Sequence, residues 1–235
     1  GLGEVKMLPA TLWSNRGRLC FATIACIGEK ELIRRLQATI GQWGDPSVLP
    51  GSDDAMGFPL RLGQPRHAMI VNVDMLVFSS DVPPGMTAFQ AGRKAVVMAC
   101  SDLFVKGVRP SHVCCSLALP STMSEEDFDG LGQGLVAACR EMGVKYLGGD
   151  LNSCREDTIV DVVVLGESST HPVAIPRGGA RSGDAVLTTG SYGGHRVGLS
   201  QLLTGNTSSM EGENRFSYLC LFPSVDKEVG PGLLE

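Results

Sequence analysis

Four short segments of the chain each end in a carboxylate: Gly51-Ser52-Asp53-Asp54, Val71-Asn72-Val73-Asp74, Ala99-Cys100-Ser101-Asp102 and Leu147-Gly148-Gly149-Asp150. Acidic side chains are ordinarily solvated, yet these follow apolar runs or sit beside glycines, which brings them to the ends of buried elements. Carboxylates gathered without a cation repel one another and raise each other's pKa, so a cluster of this kind fits Mg²⁺ and, with it, phosphate chemistry. Each segment also has a plainer reading. Asp53-Asp54 fits a solvated turn, Asp74 fits an ion pair with Lys94 or Arg93, and Gly148-Gly149-Asp150 fits a tight turn after a strand.

The elements that must position these residues follow from periodicity. Leu32, Ile33, Leu36 and Ile40 recur at helical spacing over Glu29 to Ile40, with Arg34 and Arg35 on the basic side and Gly41 as the stop. A turn-rich loop from Asp45-Pro46 to Pro50-Gly51 delivers Asp53-Asp54, and Met69 to Phe78 reads as a buried strand that Asp74 interrupts. Thr87 and Gln90 form a capping box for a helix whose one face carries Ala91, Ala95, Met98 and Asp102, with Lys94 angled toward the same cavity and Gly107 ending it.

Val113, Cys115, Leu117 and Leu119 alternate as a strand up to Pro120. Ser124 opens a second helix with Glu125, Glu126 and Asp127 in its first turn and a buried face of Phe128, Leu131, Leu135, Cys139 and Met142. Val144 to Leu147, Ile159 to Leu165 and Ala185 to Thr189 read as strands, and Gly193 to Leu203 as a helix. The order implies an α+β or mixed α/β layer architecture with helices on one sheet face. After Gly205 the segment to Asn214 reads as a polar linker, and no further complete domain fits in what remains.

Composition narrows the classes. With 235 residues, 43% hydrophobic, the chain can bury a good core. A net charge of −5 weighs against a broad nucleic-acid footprint or adhesion to anionic membrane. The eight cysteines show no CxxC spacing and read as reduced, buried thiols of a cytoplasmic protein. The apolar run Leu19 to Ile27 is too short to span a bilayer, and Asn206-Thr207-Ser208 reads as a chance glycosylation sequence. His112 and His195 lack partners at zinc spacing, and no serine-hydrolase elbow or Walker phosphate loop is present. Arg177 to Asp184 is a glycine-rich basic loop, either a plain connection or a guanidinium over a phosphate.

Taken in order, SDDA (Ser52 to Ala55), NVDMLV (Asn72 to Val77), DVPPGMT (Asp81 to Thr87), QAGRKAVVMACSDLFVKGVRP (Gln90 to Pro110), SLALP (Ser116 to Pro120), LGGDLN (Leu147 to Asn152) and RGGARSGDAVLTTG (Arg177 to Gly190) resemble thiamine-monophosphate kinase in its archaeal form. That family lies within the superfamily of aminoimidazole ribonucleotide synthetase, selenophosphate synthetase and the hydrogenase-maturation dehydratase. The resemblance runs from about Gly28 to Gly205. It implies direct transfer of a phosphoryl group from ATP to thiamine monophosphate, giving thiamine diphosphate, with Mg²⁺ ions between the two anions.

By position, the resemblance makes Asp54, Asp74, Asp102 and Asp150, with Asp53 adjacent, metal-binding. It makes Gly149 and Arg177 nucleotide-binding and places Asp81 in the substrate region; Lys94, set by its helical angle toward the same cavity, joins the nucleotide-binding group. It also implies an α+β fold, the amino-terminal domain of the aminoimidazole ribonucleotide synthetase-like fold: a mixed sheet with helices on one face, dimerising through a barrel-like interface. Residues 1–27 are then an irregular leader, 28–170 the nucleotide- and metal-binding domain, and 171–235 a linker and the start of a truncated carboxy-terminal domain.

Departures from the pattern are Val73 and Leu151 where hydroxyl residues are usual, a leader without counterpart, and the missing carboxy-terminal domain. Three readings therefore stand side by side: the kinase, a related ATP-dependent synthetase of the same superfamily, and a dimeric nucleotide-binding domain without full catalysis.

Overall fold

The structure, a computed structural model, describes residues 27–40, 48–49, 53–60, 67–170, 172–188, 190–205, 214–227 and 231. The expected leader before Ile27, the Gly41 stop, the Asp45-Pro46 turn and the Asn206-Thr207-Ser208 sequence lie outside the described residues. The chain divides into two compact units, Gly1–Pro46 and Ser47–Glu235. In the first, helix α1 covers Glu29–Ile40 as its periodicity predicts. Glu31 accepts hydrogen bonds from both Arg34 and Arg35, one turn further on.

The second unit is built on a five-stranded sheet: β1 (Met56–Pro59), β2 (Ala68–Val77), β3 (His112–Pro120), β4 (Lys145–Cys154) and β5 (Ile159–Ser168), ordered β1-β2-β5-β3-β4. β5 runs antiparallel to both β2 and β3, while β3 and β4 are parallel. The sheet is thus mixed, as expected. Alternation along β2 sends Ala68, Ile70, Asn72 and Leu76 to the buried face and leaves Val73 and Met75 open, and Val160, Val162 and Val164 of β5 line the same buried face.

Two helices cover that face, α3 (Ala88–Val105) and α4 (Glu125–Met142). The capping box at the start of α3 is present: the Thr87 hydroxyl accepts from the Gln90 N–H at 3.2 Å, and Gln90 Oε1 accepts from the Thr87 N–H at 2.8 Å. Ser124 caps α4 through the Asp127 N–H.

The two helices meet backbone to backbone. A Cβ added at Gly134 would stand 2.0 Å from the Phe89 carbonyl oxygen, and one at Gly92 would stand 2.4 Å from that of Leu131. Only glycine permits this approach, so the small-residue face of α3 serves packing as well as the site. Cys100, Cys115 and Cys139 lie in the core beneath, and burial, aided by mutual repulsion, pushes the Cys100 and Cys115 thiols up to about 12.

Beyond the sheet come α5 (Gly194–Thr204) and α6 (Asn214–Leu221), which pack on each other. Arg93 joins this end to the body. It donates two hydrogen bonds to Glu141 and one to the Pro223 carbonyl, with the Phe222 ring 5.7 Å away. Among the described residues no helix is long and apolar enough to cross a membrane.

Several local expectations change. Gly148-Gly149-Asp150 is not a turn but the middle of β4, held by pairs from Cys114 with Gly148 through to Pro120 with Cys154. A bulge between Val113 and Cys114 absorbs the extra residue. Ala185 to Thr188 forms no strand: Val186 and Leu187 are 90% and 85% exposed, and no strand pairs with them among the described residues. Phe128 is exposed because the buried stripe of α4 begins one turn later, at Leu131. The short β1 was not anticipated.

Candidate functional site

The site forms where the strand β2, the end of α3 and the Asp53-Asp54 loop meet. Asn72 and Asp74 are two residues apart on β2 and share its helix-facing side. Asn72 is buried and donates from Nδ2 to the Ala99 carbonyl at 3.2 Å and to Asp102 Oδ2 at 3.0 Å. This tie fixes the Asp102 carboxylate against the strand.

Burial, then the charges of Asp74 and Asp54, raise Asp102 from the ordinary 3.8 to about 6, against the Asn72 hydrogen bond and Lys106. Asp74 is raised too, first by burial and then by Asp81 and Asp161. Neither Lys94 nor Arg93 relieves it. Lys94 donates to the Asp81 carbonyl at 2.6 Å, and Arg93 is committed to Glu141 and Pro223.

The loop beside them is balanced differently. Asp53 pairs with Lys106, the residue that caps α3, and also accepts from the N–H groups of Asp54 and Arg177 at 2.8 Å each. Burial works to raise the Asp53 carboxyl, but Lys106 and the two backbone donors outweigh it and hold it below its ordinary value. Asp54 takes the Arg177 guanidinium and lies 3.7 Å from the Lys106 ammonium. Asp81 closes the four-residue helix α2 (Phe78–Asp81), its Oδ2 accepting from the Val77 N–H at 2.8 Å.

The structure therefore brings Asp54, Asp74 and Asp102 together, with Asp53, Asp81, Arg177 and Lys94 around them. It does not bring Asp150 to them. Asp150 lies on the edge strand β4, in a row that runs through Ser116 and Asp161 to Met75. Three strand spacings amount to roughly 14 Å. Gly149 is required for packing, since a Cβ there would stand 1.6 Å from the Cys115 carbonyl oxygen.

Among the described residues no three Asp, Glu, His or Cys side chains converge tightly enough to enclose an ion by themselves. The donor set nonetheless fits a hard cation with phosphate oxygens among its ligands. It is all oxygen and its carboxylates repel one another, with Asp161 adding its charge from the opposite sheet face, where it pairs with Met75.

Three participants escaped the sequence reading. Asn72 stands in the Asn-Val-Asp spacing that places it beside Asp74, so the period of two could have revealed it. Lys106 has its partner, Asp53, 53 residues away in sequence, and no local pattern shows the pair. Asp161 interrupts the apolar run Ile159 to Leu165, which marks it in the sequence without showing that its charge reaches Asp74.

Residues 51–168 match the family profile described as AIR synthase related protein, N-terminal domain. The thiamine-monophosphate kinase of Nitrosopumilus maritimus is 33% identical over 177 residues, covering 75% of this chain and 52% of that protein. That of Pyrococcus horikoshii is 36% identical over 137 residues, 58% of this chain and 43% of that protein. The chain spans about half the length of the curated relatives it matches. Among solved structures, AaThiL complexed with AMPPCP and TMP superposes with a TM-score of 0.78 at 21% identity, covering 91% of this chain and 65% of that one. This likeness establishes the fold.

Proposed function

Because the chain belongs to the AIR synthase related family through its N-terminal domain, we propose that it forms the nucleotide- and metal-binding part of a thiamine-monophosphate kinase, which transfers a phosphoryl group from ATP to thiamine monophosphate. The observation that carries this reading is the pair Asp74 and Asp102, half-buried neighbours that repel each other and have no ion-pair partner among the described residues, in a chain whose relatives bear that name. Asp54, Asp74 and Asp102 would hold Mg²⁺, which when bound neutralises charge between the nucleotide and acceptor phosphates.

The chain's own groups do the rest by positioning. Asn72 fixes the Asp102 carboxylate. Arg177 exchanges Asp54 for a nucleotide phosphate, and Lys94 meets one by giving up the Asp81 carbonyl. Gly149 and Asp150 on β4 lie apart from this group, and the family resemblance alone speaks for a nucleotide or metal role there. Asp81 borders the acceptor. In this reading residues 28–170 bind nucleotide and metal, and 171–235 lead into a further domain.

The open face of the sheet supports a homodimer. Met56, Phe58, Val73 and Met75 are each about half exposed there, an apolar surface that a second copy would cover. The free thiols agree with a cytoplasmic protein. Calorimetry with Mg-ATP should show binding to this chain, and radiolabelled ATP with thiamine monophosphate should yield thiamine diphosphate. Absence of metal-dependent ATP binding would remove the reading. Binding without transfer would instead favour the nucleotide-binding domain alone, which the half-length match already motivates.

A further inference from the structure

We propose that Lys106 is a positioning residue: its ammonium holds Asp53 as a buried counter-ion, and this fixes the carboxylate of the adjacent Asp54 at the Asp74 and Asp102 pair. The inference rests on the reading above, and it divides the Asp53-Asp54 pair into an anchor and a ligand. The Lys106 side chain is 4% exposed and that of Asp53 is 1% exposed. Asp53 Oδ1 meets Lys106 and the Asp54 N–H, and Oδ2 meets the Arg177 N–H. A carboxylate with three donors already on it is less open to an ion than its neighbour.

Asp54 is different. It is 36% exposed, and the Lys106 ammonium stands 3.7 Å from its Oδ2. Lys106 sits four residues after Asp102 and caps the same helix, while its carbonyl accepts from the Ile175 N–H at 2.9 Å. One residue thus ties the end of α3, the aspartate loop and the segment that carries Arg177. A tie needed only for stability would be served as well by two apolar side chains, since the desolvation of a buried ion pair offsets much of its attraction. The charge pair adds direction: the amide of Asp54 is drawn onto Asp53, which sets the angle at which the Asp54 side chain leaves the backbone.

The test uses the whole 235-residue chain, with Mn²⁺ and ATP as probes, and compares wild type with Lys106→Met and with the apolar pair Lys106→Met/Asp53→Leu. The single variant strands a buried carboxylate and is expected to bind Mn-ATP at least tenfold more weakly. The double variant is expected to recover the wild-type melting temperature while its Mn-ATP affinity stays at least tenfold down. Wild-type affinity in the double variant would overturn the proposal, including where the single variant fails to fold. If wild type itself binds no Mn-ATP, the function proposed above falls. Lys106 is then judged by the carboxyl ¹³C resonance of Asp54, which should shift in the double variant; an unchanged resonance overturns its positioning role.

Discussion

Asp53 and Asp102 are aspartates held against the same end of helix α3, and they answer to opposite electrostatics. Asp53 is enclosed by Lys106 and two backbone donors and is held below the ordinary carboxylate range. Asp102 has one neutral donor, Asn72, and two acidic neighbours, and is raised to about 6. Burial opposes ionisation at both positions; what differs is that Lys106 pairs directly with Asp53 and acts on Asp102 only from a distance, against its two acidic neighbours. The anchored flank shapes the site, and the strained flank awaits a ligand that brings positive charge.

Substitution should separate the flanks most clearly at Asp53. Asp53→Asn leaves the buried Lys106 ammonium with only the more exposed Asp54 carboxylate, 3.7 Å away, and is expected to destabilise the metal-free protein by about 3 kcal/mol, measured by urea unfolding. Asp102→Asn should act in the other sense, raising metal-free stability because it removes repulsion. The same change should weaken Mg-ATP at least ~10-fold, or about 1.4 kcal/mol, in calorimetry. If both variants destabilise the metal-free protein equally, the contrast fails.

Acidity provides a further division. The folded pKa of Asp102 lies above its unfolded value, so its contribution to stability is full below about 3.8 and is lost as pH rises toward about 6. Asp53, lowered in the fold, contributes above its ordinary value and loses that contribution as pH falls through its folded pKa. Thermal melts of the metal-free Asp102→Asn variant should therefore lack the decline between about pH 4 and 6 that Asp102 is expected to give the wild type. The smallest effect is expected at Arg177, whose side chain is 68% exposed where it pairs with Asp54. Arg177→Ala should change metal-free stability by less than about 1 kcal/mol while weakening ATP.

What was legible in the sequence was local. The Thr87 and Gln90 capping box, the Ser124 cap and the alternation of β3 are each written within a few residues, and each stands in the structure. Pairing was harder to see. Gly148-Gly149-Asp150 became strand because β3 lies alongside, and Ala185 to Thr188 stayed unpaired despite strand-like residues. β1 is four residues long, and Gly57 and Pro59 hide it. The aspartates themselves were found by type and setting, but their grouping was not. Lys106 claims Asp53 across 53 residues, and Asp150 is separated from Asp74 by the order of the strands.

The guanidinium of Arg93 has a mechanical consequence. It is a fork at which Glu141, the Pro223 carbonyl and the Phe222 ring converge, and just beyond it the Lys227 ammonium donates to the Glu141 carbonyl at 2.9 Å. Tension applied at the C-terminal end therefore meets the Lys227 contact, and Val225 against the core, before it reaches the guanidinium. Drawn from that end in a force experiment, the tail beyond α6 should come away in steps, with the Arg93 fork the last of them.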